Sequence, residues 1–163
     1  FVKSQLAAGM ELPLGGTALF SVADVDKDGI FHAARHMRAL GFQLMATSGT
    51  WRFLNNAGLP TVRINKVREG SPHVLDAISR GEVHIVVNTT VGARSVHDSF
   101  LMRRAALERN IPYYTTVPGA LAVAQALAYR RPGVEQTATL QSYLAPLKRH
   151  IDVIAFDQSP RSL

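Results

Sequence analysis

The chain has 163 residues, 47% of them hydrophobic and 18% charged, the size and composition of one globular domain with room for a core. No apolar run reaches the roughly 18 residues of a membrane span, so no membrane partner is expected. Eighteen Lys and Arg against twelve Asp and Glu leave a formal charge of +6, which suits an anionic partner, and the lack of cysteine excludes disulfides and thiolate chemistry and fits a cytosolic protein.

The opening FVKSQLAAGMELPLGG has scattered apolar residues and no initiator Met, so residues 1–16 read as a connector from a preceding domain, not a signal peptide. From Thr17 onward, short β-rich runs alternate with helical patterns. TALFSV (17–22) is a nearly continuous apolar run, expected of a buried strand. In DGIFHAARHMRALG (28–41), Ile30, Ala33, Ala34, Met37 and Leu40 share one helical stripe, and Gly41 is the expected stop. FQLMAT (42–47) is a second strand, TWRFLNNAG (50–58) a short helix ending at Gly58, and TVRIN (61–65) a third strand. SPHVLDAISRG (71–81) is expected to be a helix with Ser71 as its cap, Pro72 at the first position and Gly81 as the stop. VHIVVNTT (83–90) is the clearest strand; ARSVHDSFLMRRAALERN (93–110) is helical, IPYYTT (111–116) a fifth strand and GALAVAQALAYR (119–130) an Ala-rich helix. TATLQSYLAPLKRH (137–150) is a last helix, and 151–163 a polar tail expected to be partly disordered.

Such alternation implies right-handed crossovers and a mainly parallel five-stranded sheet covered on both faces, a single three-layer α/β/α domain over 17–150. In such a sheet ligands bind beyond the carboxyl ends of the strands. The first strand leaves through Ser21 toward Lys27; the second enters Thr47-Ser48-Gly49-Thr50; the third leads to Asn65-Lys66, the fourth to Asn88-Thr89-Thr90, the fifth to Thr115-Thr116. The last four exits carry hydroxyls, amides or Lys and no carboxylate. TSGT adds a Gly that admits close backbone approach, and free N–H groups at a helix start. Lys27 and Lys66 can each add a charge-assisted bond worth roughly 1.5–3 kcal/mol to a phosphate. Taken singly, each exit is equally a set of ordinary caps and turns; together they point to a small anionic ligand.

Catalytic patterns are weak. Asp24, Asp26 and Asp28 lack the Gly and Glu of a calcium loop, and His32 and His36 lack the Glu of a zinc-protease helix. His73 and His84 read as a helix-end residue and a strand residue. No phosphate loop, G-x-G-x-x-G turn or nucleophile elbow is present. Basic residues come only in pairs (Arg103-Arg104, Arg130-Arg131, Lys148-Arg149) with no interleaved aromatics, so no nucleic acid partner is expected.

The segments ATSGT, NKVREGSPHVLD, VNTTVGARSVHDS, RRAALERNIPYYTT and GALAVAQAL together resemble the methylglyoxal-synthase-like domain that ends the large subunit of carbamoyl phosphate synthetase. FVKSQLAAG is similar to the end of the ATP-grasp domain that precedes it. The resemblance implies a non-catalytic regulatory domain that binds UMP as inhibitor and IMP as activator at one site, with no cofactor of its own. The phosphate would fall on Lys27, Thr47, Ser48, Gly49, Thr50 and Lys66, the ribose and base on Ser21, Val67, Asn88 and Thr90. An ornithine site shared with the neighbouring domain would include Tyr113 and Thr115. The parent enzyme, with its glutaminase small subunit, would make carbamoyl phosphate from glutamine, bicarbonate and ATP (with Mg or Mn, and K) for arginine and pyrimidine synthesis, and the domain would contribute oligomer contacts. Methylglyoxal synthase itself is the enzymatic alternative on this fold. Its two acidic positions hold Ser71 and the Asn88–Thr90 exit here, which removes the general base. The cyclohydrolase domain of purine synthesis and a pure assembly module are further alternatives.

Overall fold

The computed structural model describes residues 11–90 and 93–129. Residues 1–10 of the expected connector, the expected helix over 137–150 and the tail 151–163 lie outside the described residues.

Five strands form one sheet: β1 (Thr17–Ser21), β2 (Gln43–Thr47), β3 (Val62–Ile64), β4 (Ile85–Asn88) and β5 (Tyr113–Tyr114). Their order is β3-β2-β1-β4-β5, and every neighbouring pair is parallel. The connections are α1 (Lys27–Ala39), α2 (Ser48–Asn56), α3 (Val74–Ser79) and α4 (Ala93–Glu108), and α5 (Val117–Tyr129) follows β5.

The middle of β1, Ala18 to Phe20, is apolar because both its faces are covered, as a central parallel strand requires. Ala18 and Phe20 point to one side, where Ile30, Ala34 and Met37 of α1 meet Val123 and Leu127 of α5. Leu19 points to the other, against Val74 and Ile78 of α3 and Met102 and Ala106 of α4. Phe20, Leu19 and the α1 stripe of Ile30, Ala33, Ala34 and Met37 are fully buried, so the helical period read from the sequence is the packing face.

Helix ends follow one device. After α1, Phe42 N–H donates to Met37 O at 3.0 Å and Gly41 N–H to Arg38 O at 2.9 Å, with Gly41 at φ 86°. This pair of bonds satisfies the last carbonyls and needs a left-handed residue, hence glycine. Gly58 and Gly81 close α2 and α3 in the same way, and Asn110 (φ 54°) does so for α4.

Three helix starts differ from the sequence expectation by two residues or more, α5 among them, at Val117 instead of Gly119. α2 begins at Ser48, not Thr50, so β2 runs into it without a loop. The first helical turn makes no intrahelical N–H bonds, so Gly49 weakens it little, while Thr50 and Leu54 are buried beneath. α3 is not capped by Ser71. Asn65 forms a parallel bridge to His73, and Val74 N–H donates to Asn65 O at 3.0 Å, which holds His73 extended ahead of the helix. His73 becomes the cap: its Nδ1 accepts from Asp76 N–H at 3.3 Å, and Asp76 Oδ2 accepts from His73 N–H at 2.9 Å. The Ser71 hydroxyl donates to the same carboxylate at 2.7 Å.

Candidate functional site

The chain runs outward from β1 to β2 and β3, then returns to the other side of β1 for β4 and β5. The strand order therefore reverses between β1 and β4, which opens a crevice at their carboxyl ends. A cavity of about 530 Å³ lies there, within the range of small-ligand sites.

Its floor is built from the strand ends. Ser21 and Asn88 are partners across β1 and β4, and both are buried. Thr47 at the end of β2 donates from Oγ1 to Ser21 Oγ at 3.4 Å. The loop leaving β1 is stapled on both sides: Ala23 N–H donates to Thr89 Oγ1 at 3.0 Å, and Val22 N–H to Thr50 Oγ1 at 3.0 Å. Asp24 and Val25 form one wall, Lys66 to Glu69 a second, and Asp98, Ser99 and Met102 of α4 a third, with Thr90 at the rim.

Of the residues singled out from sequence, Ser21, Thr47, Lys66, Val67, Asn88 and Thr90 line this one cavity. Lys27 sits beside it: its Nζ is 2.6 Å from Asp24 Oδ1 and 3.5 Å from the place a side chain on Gly49 would occupy. Hydrogen bonding and the charge of Lys27, with a further contribution from Lys66, hold the Asp24 carboxyl below its ordinary pKa. Lys27 is thus paired with an exposed carboxylate, and Lys66 lines the same cavity. Ser48, Gly49 and Thr50 do not line the cavity. Thr50 is buried and its hydroxyl engaged with Val22, whereas the Ser48 hydroxyl is buried with no hydrogen bond among the described residues. Thr47, the N-cap residue of α2, makes no side-chain cap bond, since its hydroxyl is turned to Ser21.

Tyr113 and Thr115 also lie outside the cavity lining. Thr115 is exposed. Tyr113 is half-buried and linked to the floor: Asn88 Nδ2 donates to Tyr113 Oη at 2.6 Å and to Ser99 Oγ at 2.9 Å. Tyr113 Oη donates to Ser99 O at 3.3 Å. Burial raises the phenol pKa, opposed by the Asn88 bond and by Arg103, whose guanidinium lies 5.5 Å from the ring centre.

The walls hold residues the strand-exit reading missed: Asp24, Arg68, Glu69, Asp98, Ser99 and Met102. Asp98 Oδ1 is buried and, among the described residues, has no hydrogen bond and faces the Arg68 guanidinium at 3.5 Å. A signal for the α4 wall was present in the sequence. Ser99, Met102 and Ala106 fall at i, i+3 and i+7, the core-facing stripe, and Ser99 is nearest the strand ends. Among the described residues no cluster of His, Asp or Glu could hold a metal ion, and no helix is long and apolar enough to cross a membrane.

Comparison with known proteins identifies the family and the fold. The carbamoyl phosphate synthase large chain of Mesorhizobium japonicum is 50% identical over 145 residues, 89% of this chain and 12% of that protein. The large chain of Rhizobium meliloti is 48% identical over 88% of this chain and 12% of its own length. The C-terminal section of the large chain of Aquifex aeolicus is 45% identical over 78% of this chain and 24% of that protein. The chain thus spans about an eighth of the full-length relatives it matches. Among solved structures, methylglyoxal synthase from Elizabethkingia anophelis superposes with a TM-score of 0.52 at 15% identity, covering 76% of this chain and 83% of that one. The structure of ForH gives 0.51 at 18% identity over 85% and 92%. At such identities these two bear on the fold alone, a parallel α/β sheet covered by helices. The profile of the MGS-like domain matches residues 29–115, more than half the length, and the chain belongs to that family.

Proposed function

We propose that this chain is the effector-binding regulatory domain of a carbamoyl phosphate synthase large chain. It takes up a nucleoside monophosphate at the β1–β4 crevice, UMP as inhibitor and IMP as activator, and does no chemistry itself. The observation that carries the reading is the Lys27–Asp24 ion pair at the edge of a cavity that Lys66 also lines, beside an α2 start whose N-cap residue, Thr47, makes no side-chain cap bond. A phosphate would take Asp24's place at Lys27, be reached by Lys66 from the facing wall, and accept from N–H groups at the start of α2, to which the helix dipole adds. The buried Ser48 hydroxyl would gain a partner in the same step.

From there the ligand would extend across the floor to Asn88 and Thr90, with Val67 against its apolar parts. Tyr113 and Thr115 would contribute to an ornithine site completed by a neighbouring domain. The rest of the large chain and the glutaminase small subunit would bind ATP, its Mg or Mn ion and K, and carry out the synthesis from glutamine and bicarbonate. Regulation requires that the effector prefer one conformation of that assembly, a coupling typically of about 1–3 kcal/mol.

The test is calorimetric titration of UMP and IMP into the chain. One site shared by both is expected, and Lys66→Ala should weaken it by roughly 1.5–3 kcal/mol with melting unchanged. Unchanged affinity in that variant would refute the phosphate site.

A further inference from the structure

Asn88 lies on the cavity floor, yet both hydrogens of its amide are already engaged within the protein, by Ser99 Oγ and Tyr113 Oη. The orientation follows from Tyr113. A backbone carbonyl can only accept, so the bond from Tyr113 Oη to Ser99 O takes up the phenolic proton. The lone pairs of Oη then face Asn88, and the group opposing them must be the NH2. What Asn88 has left for the cavity is Oδ1, a pure acceptor.

We infer that Tyr113 is a positioning residue for ligand recognition: it locks the Asn88 carboxamide so that the crevice presents an acceptor and selects ligands carrying a hydroxyl or N–H donor at that point. The inference rests on the nucleotide-site reading and adds the chemical polarity of the half of the site away from the phosphate. Without the phenol oxygen, Asn88 can turn, and a ligand donor would have to hold the amide in place itself, at the cost of its rotational freedom. The phosphate half depends on Lys27, Lys66 and α2, and does not touch this network.

The experiment is a double-mutant cycle on UMP affinity in the chain, using Tyr113→Phe, Asn88→Ala and the double variant, with inorganic phosphate as a second probe. Tyr113→Phe should weaken UMP about fivefold, the scale of one neutral hydrogen bond, and leave phosphate affinity unchanged. In the Asn88→Ala background the same substitution should have no further effect, because its action passes through the amide. Additive penalties, or a parallel loss of phosphate binding, would overturn the role of Tyr113. If Tyr113→Phe does not fold, Ser99→Ala removes the other partner of the amide and takes its place in the cycle. Failure of the unmodified chain to bind UMP would instead defeat the nucleotide reading itself, and the inference with it.

Discussion

Lys27 Nζ sits 2.6 Å from Asp24 Oδ1, so the most sheltered cation beside the crevice is paired with a carboxylate whose side chain is 92% exposed. An exposed carboxylate on a short turn is an exchangeable partner, held by a weak, screened interaction. It competes with any incoming anion for Lys27, and its charge also opposes that anion at Lys66.

Replacing Asp24 by Asn should therefore tighten binding of UMP or inorganic phosphate by about two- to fivefold at low salt, as for other exposed charges. The gain should fade near 1 M salt, where screening acts within about 3 Å. Titration at two ionic strengths checks this. Weaker binding in the variant would mean that Asp24 orients Lys27 for the ligand instead of competing with it.

Thr50 distinguishes a ligand contact from a scaffold. Its hydroxyl accepts from Val22 N–H at 3.0 Å and faces Val22 O at 3.4 Å. Thr50→Val keeps the shape, leaves that part-buried N–H unsatisfied, and should cost about 1–3 kcal/mol of stability by denaturant unfolding. UMP affinity should fall less than in Lys66→Ala. The reverse ranking would move Thr50 into the phosphate contacts that the family resemblance implies.

The cap of α3 makes a prediction about acid. Asp76 accepts from His73 N–H and from the Ser71 hydroxyl, and these bonds hold its carboxyl below the ordinary value of 3.8. A carboxylate with a depressed folded pKa stabilises the fold above its unfolded value, and that stabilisation disappears as pH falls through the folded one. Asp76→Asn should thus lower Tm at neutral pH, and the gap from wild type should close below about pH 3.8. A gap that persists at lower pH would show that the cap does not depend on the charge.

Much of this architecture was legible in the sequence, and the reasons are local. The stripe Ile30, Ala33, Ala34, Met37 and the stops at Gly41, Gly58 and Gly81 have a period and a backbone requirement that neighbours cannot override. The α3 cap was not legible, because the pull that excludes Ser71 comes from Asn65, six residues away across a bridge. For the site, strand exits alone located Ser21, Thr47, Lys66 and Asn88, since strand order decides what lies beyond a parallel sheet. The acidic and apolar walls at Asp24, Asp98 and Met102 depend on how a turn and a helix lie over the strand ends, which no exit motif encodes. Nor does any spacing reveal that Tyr113 reaches Asn88, 25 residues away on the adjacent strand.

The central claim is that occupancy of this crevice governs the larger enzyme. Steady-state carbamoyl phosphate synthesis by the full-length protein, measured over a range of UMP concentrations for wild type and Lys66→Ala, tests it most directly. The account predicts that UMP lowers the wild-type rate and that in Lys66→Ala the response is lost or shifted at least tenfold, the consequence of about 1.5–3 kcal/mol of lost binding. A UMP response with the same midpoint and amplitude in both proteins would contradict it.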